Sequence, residues 1–335
     1  MTDRPTQHTT RLAPSPTGAL HLGNAFAFLI NWALARKLGW RVVLRIEDLD
    51  TPRNKPGSDQ LTLDLLGELG LDWDEGPHYQ SADLSPYRDA LEQLRTQGDI
   101  YPCNATRKQV EQAMSAPHAS DQERRYPGPE KIAQALRDLG DKPMPTPVAQ
   151  DVPLLEDDTY AWRMRVPDAH VAFHDTLRGP QTINVQQHVG DFVVATKAGH
   201  PAYQLAVVVD DARQGVTQVV RGDDLLPSAA RQVLLYQRLG LVDRLPAYTH
   251  LPMVHTPDGR RLAKRHHDAQ LTRYMDAGTD PRRLVGLIAY WAKLQAERRP
   301  ISAVELAEMI GIDRLSTDPI TYTDEDEAWL QQSSD

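Results

Sequence analysis

The chain has 335 residues, 40% of them apolar, and a formal charge of −9 from 37 Lys and Arg against 46 Asp and Glu. That is enough for a large core in about two domains, and it excludes a disordered or collagenous polypeptide. A single cysteine excludes an internal disulfide framework and any multi-cysteine zinc site; no stretch approaches the ~20 apolar residues of a membrane span.

The polar start, Met1 to Arg11, lacks an apolar signal core and predicts a cytoplasmic protein. Thr9 to Ala13 predicts a short buried strand, followed by a turn over Pro14 to Gly18. Leu22, Phe26, Leu29, Ile30, Ala33 and Leu34 then recur at helical spacing until Gly39. Trp40 to Ile46 reads as a buried parallel strand. Ser58 is placed to cap a helix carrying Leu61, Leu65, Leu66 and Leu69, with Gly70 as its stop. Ser85-Pro86 starts a further helix that Gly98 closes. This β-α-β-α order predicts an α/β fold, a doubly wound parallel-sheet (Rossmann-like) catalytic domain, whose first half covers 9–100.

Between Pro117 and Pro153 the pattern breaks, with seven prolines and one short helix around Ile132 to Leu139. This predicts a loop-rich inserted subdomain over 101–155. Strand signals return at Tyr160 to Val166, Asp191 to Ala195 and Gln204 to Val209, so the second half of the domain is expected over 156–265. Ser228 is placed to cap a helix running through Leu239. A short helical C-terminal region is expected over 266–335, with Asp280-Pro281 as one helix start and Ser302 with Glu305 as a capping box for another. Asp324 to Glu327 reads as a solvated acidic tail.

Two segments carry chemistry. In the run from Arg11 to Asn24 (RLAPSPTGALHLGN), a strand end, a glycine-containing turn and a helix N-terminus make an anion site. Gly18 and Gly23 allow close approach to the backbone, and His21 can donate to phosphate oxygens. By itself, His21 also fits an ordinary surface turn. In the second segment, Arg260 to Arg265 follows Thr256-Pro-Asp-Gly259, a basic loop that can meet a polyphosphate. Alone, it would be a solvated charge run. The acidic balance of the whole chain excludes a general nucleic-acid coat but leaves room for a local basic strip.

Together these segments resemble the two signatures of the class I aminoacyl-tRNA synthetases. His21-Leu-Gly-Asn24 resembles the "HIGH" motif, and Arg261-Leu-Ala-Lys-Arg265 resembles "KMSKS". RLAPSPTGALHLGN, LRIEDLD (Leu44 to Asp50), PAYQLAVVVDD (Pro201 to Asp211) and VVRGDDLL (Val219 to Leu226) resemble the glutamyl branch in order and spacing. The resemblance implies a ligase that activates L-glutamate with ATP and Mg²⁺. It assigns Arg11, Ala13, Ser15, Glu47, Tyr203 and Arg221 to glutamate, and Gly18, His21, Gly23, Asn24 and Lys264 to ATP. His21 and Lys264 would be the catalytic groups, and Leu251 to Val254 would lie beside the adenine.

Only 67 residues follow Asp268, too few for the large anticodon-binding region of full glutamyl enzymes. The resemblance therefore implies the truncated branch, which attaches glutamate to queuosine at position 34 of the tRNA-Asp anticodon. Val207 supports it, standing where full-length enzymes commonly have Asn. The expected partners are L-glutamate and tRNA-Asp carrying queuosine, with no membrane and a monomeric chain. Arg260, Arg261, Lys264 and Arg265 are candidates for an RNA-facing basic strip. The alternatives are a minimal glutamyl-tRNA synthetase charging the 3′ end of tRNA-Glu and a non-catalytic synthetase-like binding module. Three positions depart from the family pattern. Asn24 replaces the second histidine of "HIGH" and Ala263 replaces the serine of "KMSKS". Cys103 and Tyr126 remain of a zinc-binding set whose other cysteines are missing, so zinc is expected to be absent.

Overall fold

The structure, a computed structural model, describes residues 7–18, 20–106, 109–110, 125–126, 128–138, 149–155, 160–262 and 269–332. The chain opens with β1 (Thr9–Leu12), α1 (Leu22–Leu38), β2 (Arg41–Ile46), α2 (Ser58–Glu68), β3 (Glu75–Tyr79) and α3 (Ser85–Thr96). It continues through β4 (Ile100–Cys103), α4 (Pro129–Asp138), β5 (Ala161–Met164), β6 (His170–Asp175), β7 (Gly179–Asn184) and β8 (Phe192–Ala195). Then come α5 (Tyr203–Arg213), β9 (Gln218–Gly222), α6 (Leu226–Arg238), β10 (Ala247–Leu251) and β11 (Val254–His255). The chain closes with α7 (Leu271–Asp276), α8 (Pro281–Trp291), α9 (Ala303–Met309), β12 (Ile320–Thr321) and α10 (Asp324–Gln331).

Strands β1, β2 and β3 pair in parallel with β2 in the middle. A second group runs β7-β6-β10-β9, with β10 parallel to both β9 and β6. The two groups abut where Thr217, just before β9, donates its N–H to the carbonyl of Thr9 at 2.9 Å. From β1 the chain moves outward to β2 and β3, then returns to the other side of β1 at β9. That reversal is the topological switch point of a doubly wound sheet, where the loops at the strand ends part and leave a crevice. β4, β5 and β8 form a separate antiparallel sheet.

Helix α1 is the hub. Ten of its 17 residues are buried, because the sheet lies on one side and α8 and α9 lie on the other. It is therefore apolar around most of its circumference rather than along one stripe. Gly39, at φ +68, ends it in the left-handed conformation. Helices α8 and α9 share one apolar cluster with α1 and β2, while α3, α5 and α6 form a second cluster with β5 and β8. Among the described residues no helix is long and apolar enough to cross a membrane.

Four sequence expectations are corrected. Gln204 to Val209, expected as a strand, is the middle of helix α5, and every residue from Gln204 to Ala212 is buried. An apolar run with no polar face carries no period, so strand and buried helix look alike. The acidic stretch Asp324 to Glu327, expected as a solvated tail, is the first turn of α10, capped by Thr323. Asp326 is buried there and accepts from Arg298 Nε at 2.8 Å and Trp291 Nε1 at 3.3 Å. Carboxylates suit the positive end of a helix, which is why this acidic run folds. Caps at Asp280 and Ser302 form as expected. Ser58 and Ser228 instead lie inside α2 and α6, behind Gly57 and Leu225 at the cap positions.

Candidate active site

The crevice at the switch point holds a cavity of about 540 Å³. Arg11, Ala13, Ser15, Glu47, Tyr203 and Arg221 all line it, together with His21, Gly23 and Asn24 from the start of α1. Leu251, Pro252, Met253 and Val254 line its far side. Residues far apart in sequence thus converge because β1, β2, β9 and β10 all end there. Gly18 does not line the cavity; it sits at φ +124 in the preceding turn, beside the Lys55 side chain. Lys264, with Ala263 and Arg265, lies outside the described residues. A second cavity of about 630 Å³ lies between α8 and residues 314–321; it shares Phe26, Leu251 and Pro252 with the first and is lined by none of the expected charged groups.

At the entry to α1, His21 is the N-cap residue. Its Nδ1 accepts from the Asn24 backbone N–H at 3.3 Å, and Asn24 Oδ1 accepts from the His21 N–H at 3.2 Å. Asn24, the departure from the "HIGH" pattern, is therefore half of a reciprocal cap. With Nδ1 accepting, the ring proton sits on Nε2, the tautomer that can donate to an anion. A Cβ at Gly23 would stand 3.1 Å from the imidazole, so glycine there lets the ring fold over the first turn.

The β1/β2 wall is a network of paired charges. Arg45 is completely buried. Its guanidinium reaches Asp211 at 2.8 Å, Glu47 at 3.2 Å and Asp210 at 3.9 Å, and donates to Gln214 Oε1 at 2.8 Å. Asp210 also accepts from Gln80 at 2.7 Å and Tyr87 at 2.9 Å. Arg11 Nε lies 3.5 Å from Asp211. Glu47 and Arg11 thus have different ion-pair partners. Burial pushes the Glu47 carboxyl above its ordinary range, against the pull of Arg45 and Arg11. Burial raises Asp210 likewise, with Arg45 opposing.

The β9/β10 wall is built differently. Arg221 is buried and, among the described residues, has no carboxylate within ion-pair distance. Its Nε donates to His250 Nε2 at 3.0 Å and its Nη2 donates to the Leu225 carbonyl at 3.3 Å. Nη1 is buried with no hydrogen-bond partner, an orphaned cationic donor beside an anion-sized space. Tyr203, at the first turn of α5, keeps 38% of its surface open.

Sequence reasoning did not single out Arg45, Asp210, Asp211, His250 or Asp175. The signals were present: Arg45 is a charge between the apolar Leu44 and Ile46 of β2, and Asp210-Asp211 follows the apolar run Leu205–Val209. The basic loop is more neutral than expected where it is described. Arg260 pairs with Asp258, and Arg261 with Asp224 at 2.8 Å. In the insert, buried Cys103 lies 3.5 Å from the Tyr126 hydroxyl, and Arg163 stacks on the Tyr126 ring at 3.7 Å. Among the described residues no cluster of three or more His, Cys, Asp or Glu could hold a metal.

A family model for tRNA synthetases class I (E and Q), catalytic domain, matches residues 7–327. Glutamyl-Q tRNA(Asp) synthetase of Symbiobacterium thermophilum is 42% identical over 319 residues, spanning 92% of this chain and 94% of that one. The protein of the same name from Rhodopirellula baltica is 41% identical over 309 residues, spanning 89% and 88%. Glutamate–tRNA ligase of Nitrosomonas europaea is 35% identical over 325 residues, spanning 96% of this chain and 66% of that one. A crystal structure of a glutamate tRNA ligase from Elizabethkingia meningosepticum, in complex with its amino acid, shares the fold. Its TM-score is 0.75 at 24% identity, covering 97% of this chain and 68% of that chain.

Proposed function

The chain belongs to the class I tRNA synthetase (E and Q) family and is a ligase of that class, and from that premise we propose that it activates L-glutamate with ATP and transfers it to queuosine in the tRNA-Asp anticodon. The observation that carries the glutamate half is the pair of arginines in one cavity. Among the described residues Arg221 has no carboxylate counter-ion, and Arg11 is only loosely paired. Glutamate brings two carboxylates and one ammonium. Arg11 and Arg221 would take the carboxylates, Glu47 the ammonium, and Tyr203, Ser15 and the Ala13 backbone would shape the remaining contacts.

One glutamate carboxylate oxygen attacks the α-phosphorus of ATP, the bond to the β-phosphate oxygen breaks, and pyrophosphate leaves. No enzyme nucleophile takes part, so positioning and charge stabilisation supply the catalysis. His21 Nε2–H and the N-terminus of α1 would meet the triphosphate, with Lys264 joining from the basic loop. The donor set of the cavity is guanidinium, imidazole and helix N–H groups, which suits a polyphosphate; Mg²⁺ would be held on the phosphate oxygens, where it screens the leaving charge. In the second step a hydroxyl of the queuosine cyclopentene diol attacks the glutamyl carbonyl, an ester forms and AMP departs. A cavity of about 390 Å³ shares Ser15, Glu47 and Tyr203 with the first and would give the nucleoside a route to that carbonyl. An unpaired anticodon base can be splayed out for such capture at small cost.

The higher identity to the two glutamyl-Q relatives than to the glutamate–tRNA ligase supports the anticodon as acceptor. Incubation with radiolabelled glutamate, ATP and tRNA from queuosine-containing or queuosine-deficient cells tests it. The expected label sits on the anticodon base of queuosine-containing tRNA-Asp and is released by mild base. Label on the 3′ adenosine of tRNA-Glu, or equal labelling of tRNA-Asp without queuosine, would establish the minimal glutamyl-tRNA synthetase instead.

A further inference from the structure

The β9/β10 wall contains a polar row of which Arg221 alone lines the cavity. Arg221, His250 and Asp175 stand on three adjacent strands, β9, β10 and β6. Arg221 pairs in register with His250, and Asp175 pairs with Tyr248, two residues before His250, so Asp175 reaches His250 diagonally across the strands. His250 and Asp175 are both completely buried, although an apolar pair would fill that space without desolvating a charge.

The hydrogen bonds fix how this row is wired. Asp175 Oδ1 accepts from the backbone N–H groups of Leu177 at 3.1 Å and Arg178 at 2.9 Å. Its Oδ2 accepts from the His250 backbone N–H at 3.1 Å and meets His250 Nδ1 at 2.6 Å. Asp175 is thus surrounded by donors and is a carboxylate, so Nδ1 carries the imidazole proton. His250 Nε2 then presents a lone pair, and Arg221 Nε–H points at it from 3.0 Å. Only the neutral ring in this one tautomer satisfies both neighbours.

We propose that His250, oriented by Asp175, is a positioning residue that fixes the Arg221 guanidinium for the substrate carboxylate without neutralising it. A carboxylate in the place of His250 would hold Arg221 equally well but would cancel its charge. An aliphatic side chain would leave the charge and lose the orientation. A neutral acceptor does both jobs, and its own orientation comes from a carboxylate one strand further away. This rests on the reading of Arg221 as a glutamate clamp.

The arrangement works only while the imidazole is neutral. Protonation would set Nε2–H against Arg221 Nε–H, two donors and two like charges face to face. The charged and titratable groups facing the ring are Asp175 from β6, Arg178 from the turn after β6, Arg221 from β9 and Tyr248 stacked from β10. Burial, with Arg221 and Arg178 alongside, holds His250 below its ordinary range, although Asp175 pulls it up. The clamp therefore stays intact at neutral pH and loosens in acid.

Glutamate-dependent ATP–pyrophosphate exchange, with tRNA present, tests this on His250→Ala, His250→Gln and Asp175→Asn. His250→Ala should raise the glutamate KM about tenfold or more while the ATP KM and kcat move less than about threefold. In His250→Gln the amide oxygen can accept from Arg221, so the glutamate KM should stay within about threefold of wild type. That variant should also lose the acid limb of kcat/KM for glutamate, since an amide does not titrate. In Asp175→Asn the backbone donors keep Oδ1, the new NH₂ faces His250 Nδ1, and the ring proton is driven to Nε2. Its glutamate KM should rise like that of His250→Ala with the shape of the site preserved. Equal loss in glutamate KM, ATP KM and kcat would mean a merely structural role and overturn the proposal. So would an unchanged acid limb in His250→Gln. If His250→Ala does not unfold cooperatively, the Gln and Asn variants decide alone. Wild-type exchange with unmoved variants overturns this inference only; no wild-type exchange with glutamate overturns the glutamate reading and this inference with it.

Discussion

The two walls of the cavity solve one problem in opposite ways. On the β1/β2 side, arginines and carboxylates interlock: Arg45 reaches Asp210, Asp211 and Glu47, and Arg11 leans on Asp211. On the β9/β10 side, Arg221 meets a neutral imidazole and keeps its charge. A guanidinium ringed by carboxylates braces the fold, whereas one held by neutral acceptors is a binding group awaiting an anion. The comparison predicts that Arg45 in the first wall governs stability and Arg221 in the second governs affinity.

Breaking the first wall should have the largest effect. Arg45→Met leaves Asp210, Asp211 and Glu47 buried without their shared cation. It should cost about 3–5 kcal/mol in urea denaturation, the range for removing one partner of a buried ionic group. A cost below about 1 kcal/mol would show that the network is solvated and braces little. Breaking the second wall should spare the fold. Arg221→Ala should lower the affinity for glutamate by about 2–5 kcal/mol, the range for truncating a buried charge partner, with its melting temperature close to wild type. An unchanged glutamate KM in that variant would remove Arg221 from the site.

Acid should separate the walls more gently. His250 and Asp175 both titrate below their ordinary values of 6.5 and 3.8, His250 mainly because of burial, and Asp175 despite it, through its bonds to His250 and Arg178. At each site the unfolded chain therefore binds more protons than the folded one, so stability falls as pH drops. The His250 contribution begins to fade below about pH 6.5 and that of Asp175 only below about pH 3.8. Thermal melts at about pH 7 and about pH 5 should show a smaller drop for His250→Gln than for wild type. An identical drop would place the acid sensitivity elsewhere. The smallest effect is expected from metal removal. With Mg²⁺ restored, a strong zinc chelator should leave melting and exchange unchanged, and the purified protein should hold less than one equivalent of zinc. Stoichiometric zinc lost on Cys103→Ser would contradict this.

The parts of this picture that lie in one continuous motif were legible in sequence. Arg11, Ala13, Ser15, His21, Gly23 and Asn24 fall in a single strand–turn–helix run, and Glu47 directly follows the next strand. Each wears the residue type its chemistry needs. Arg45, Asp175 and His250 were not legible, because nothing local marks a charge as buried; only the order of strands puts Asp175 two strands from Arg221. Helix α5 was misread for a related reason. A helix covered on all sides shows no polar face, so its period vanishes just where packing is densest. The acidic run at Asp324 failed in the other direction: charge suggested solvent, while the helix N-terminus and Arg298 supplied a reason to fold.

The central claim is that two guanidiniums in one cavity choose an amino acid with two carboxylates. It is tested most directly by ATP–pyrophosphate exchange, with total tRNA present, on glutamate, glutamine and aspartate at equal concentration. The account predicts exchange with glutamate and a loss on the order of a hundredfold or more with glutamine, whose amide leaves one buried guanidinium unpaired. Exchange as fast with glutamine as with glutamate, or no exchange with glutamate at all, would contradict it.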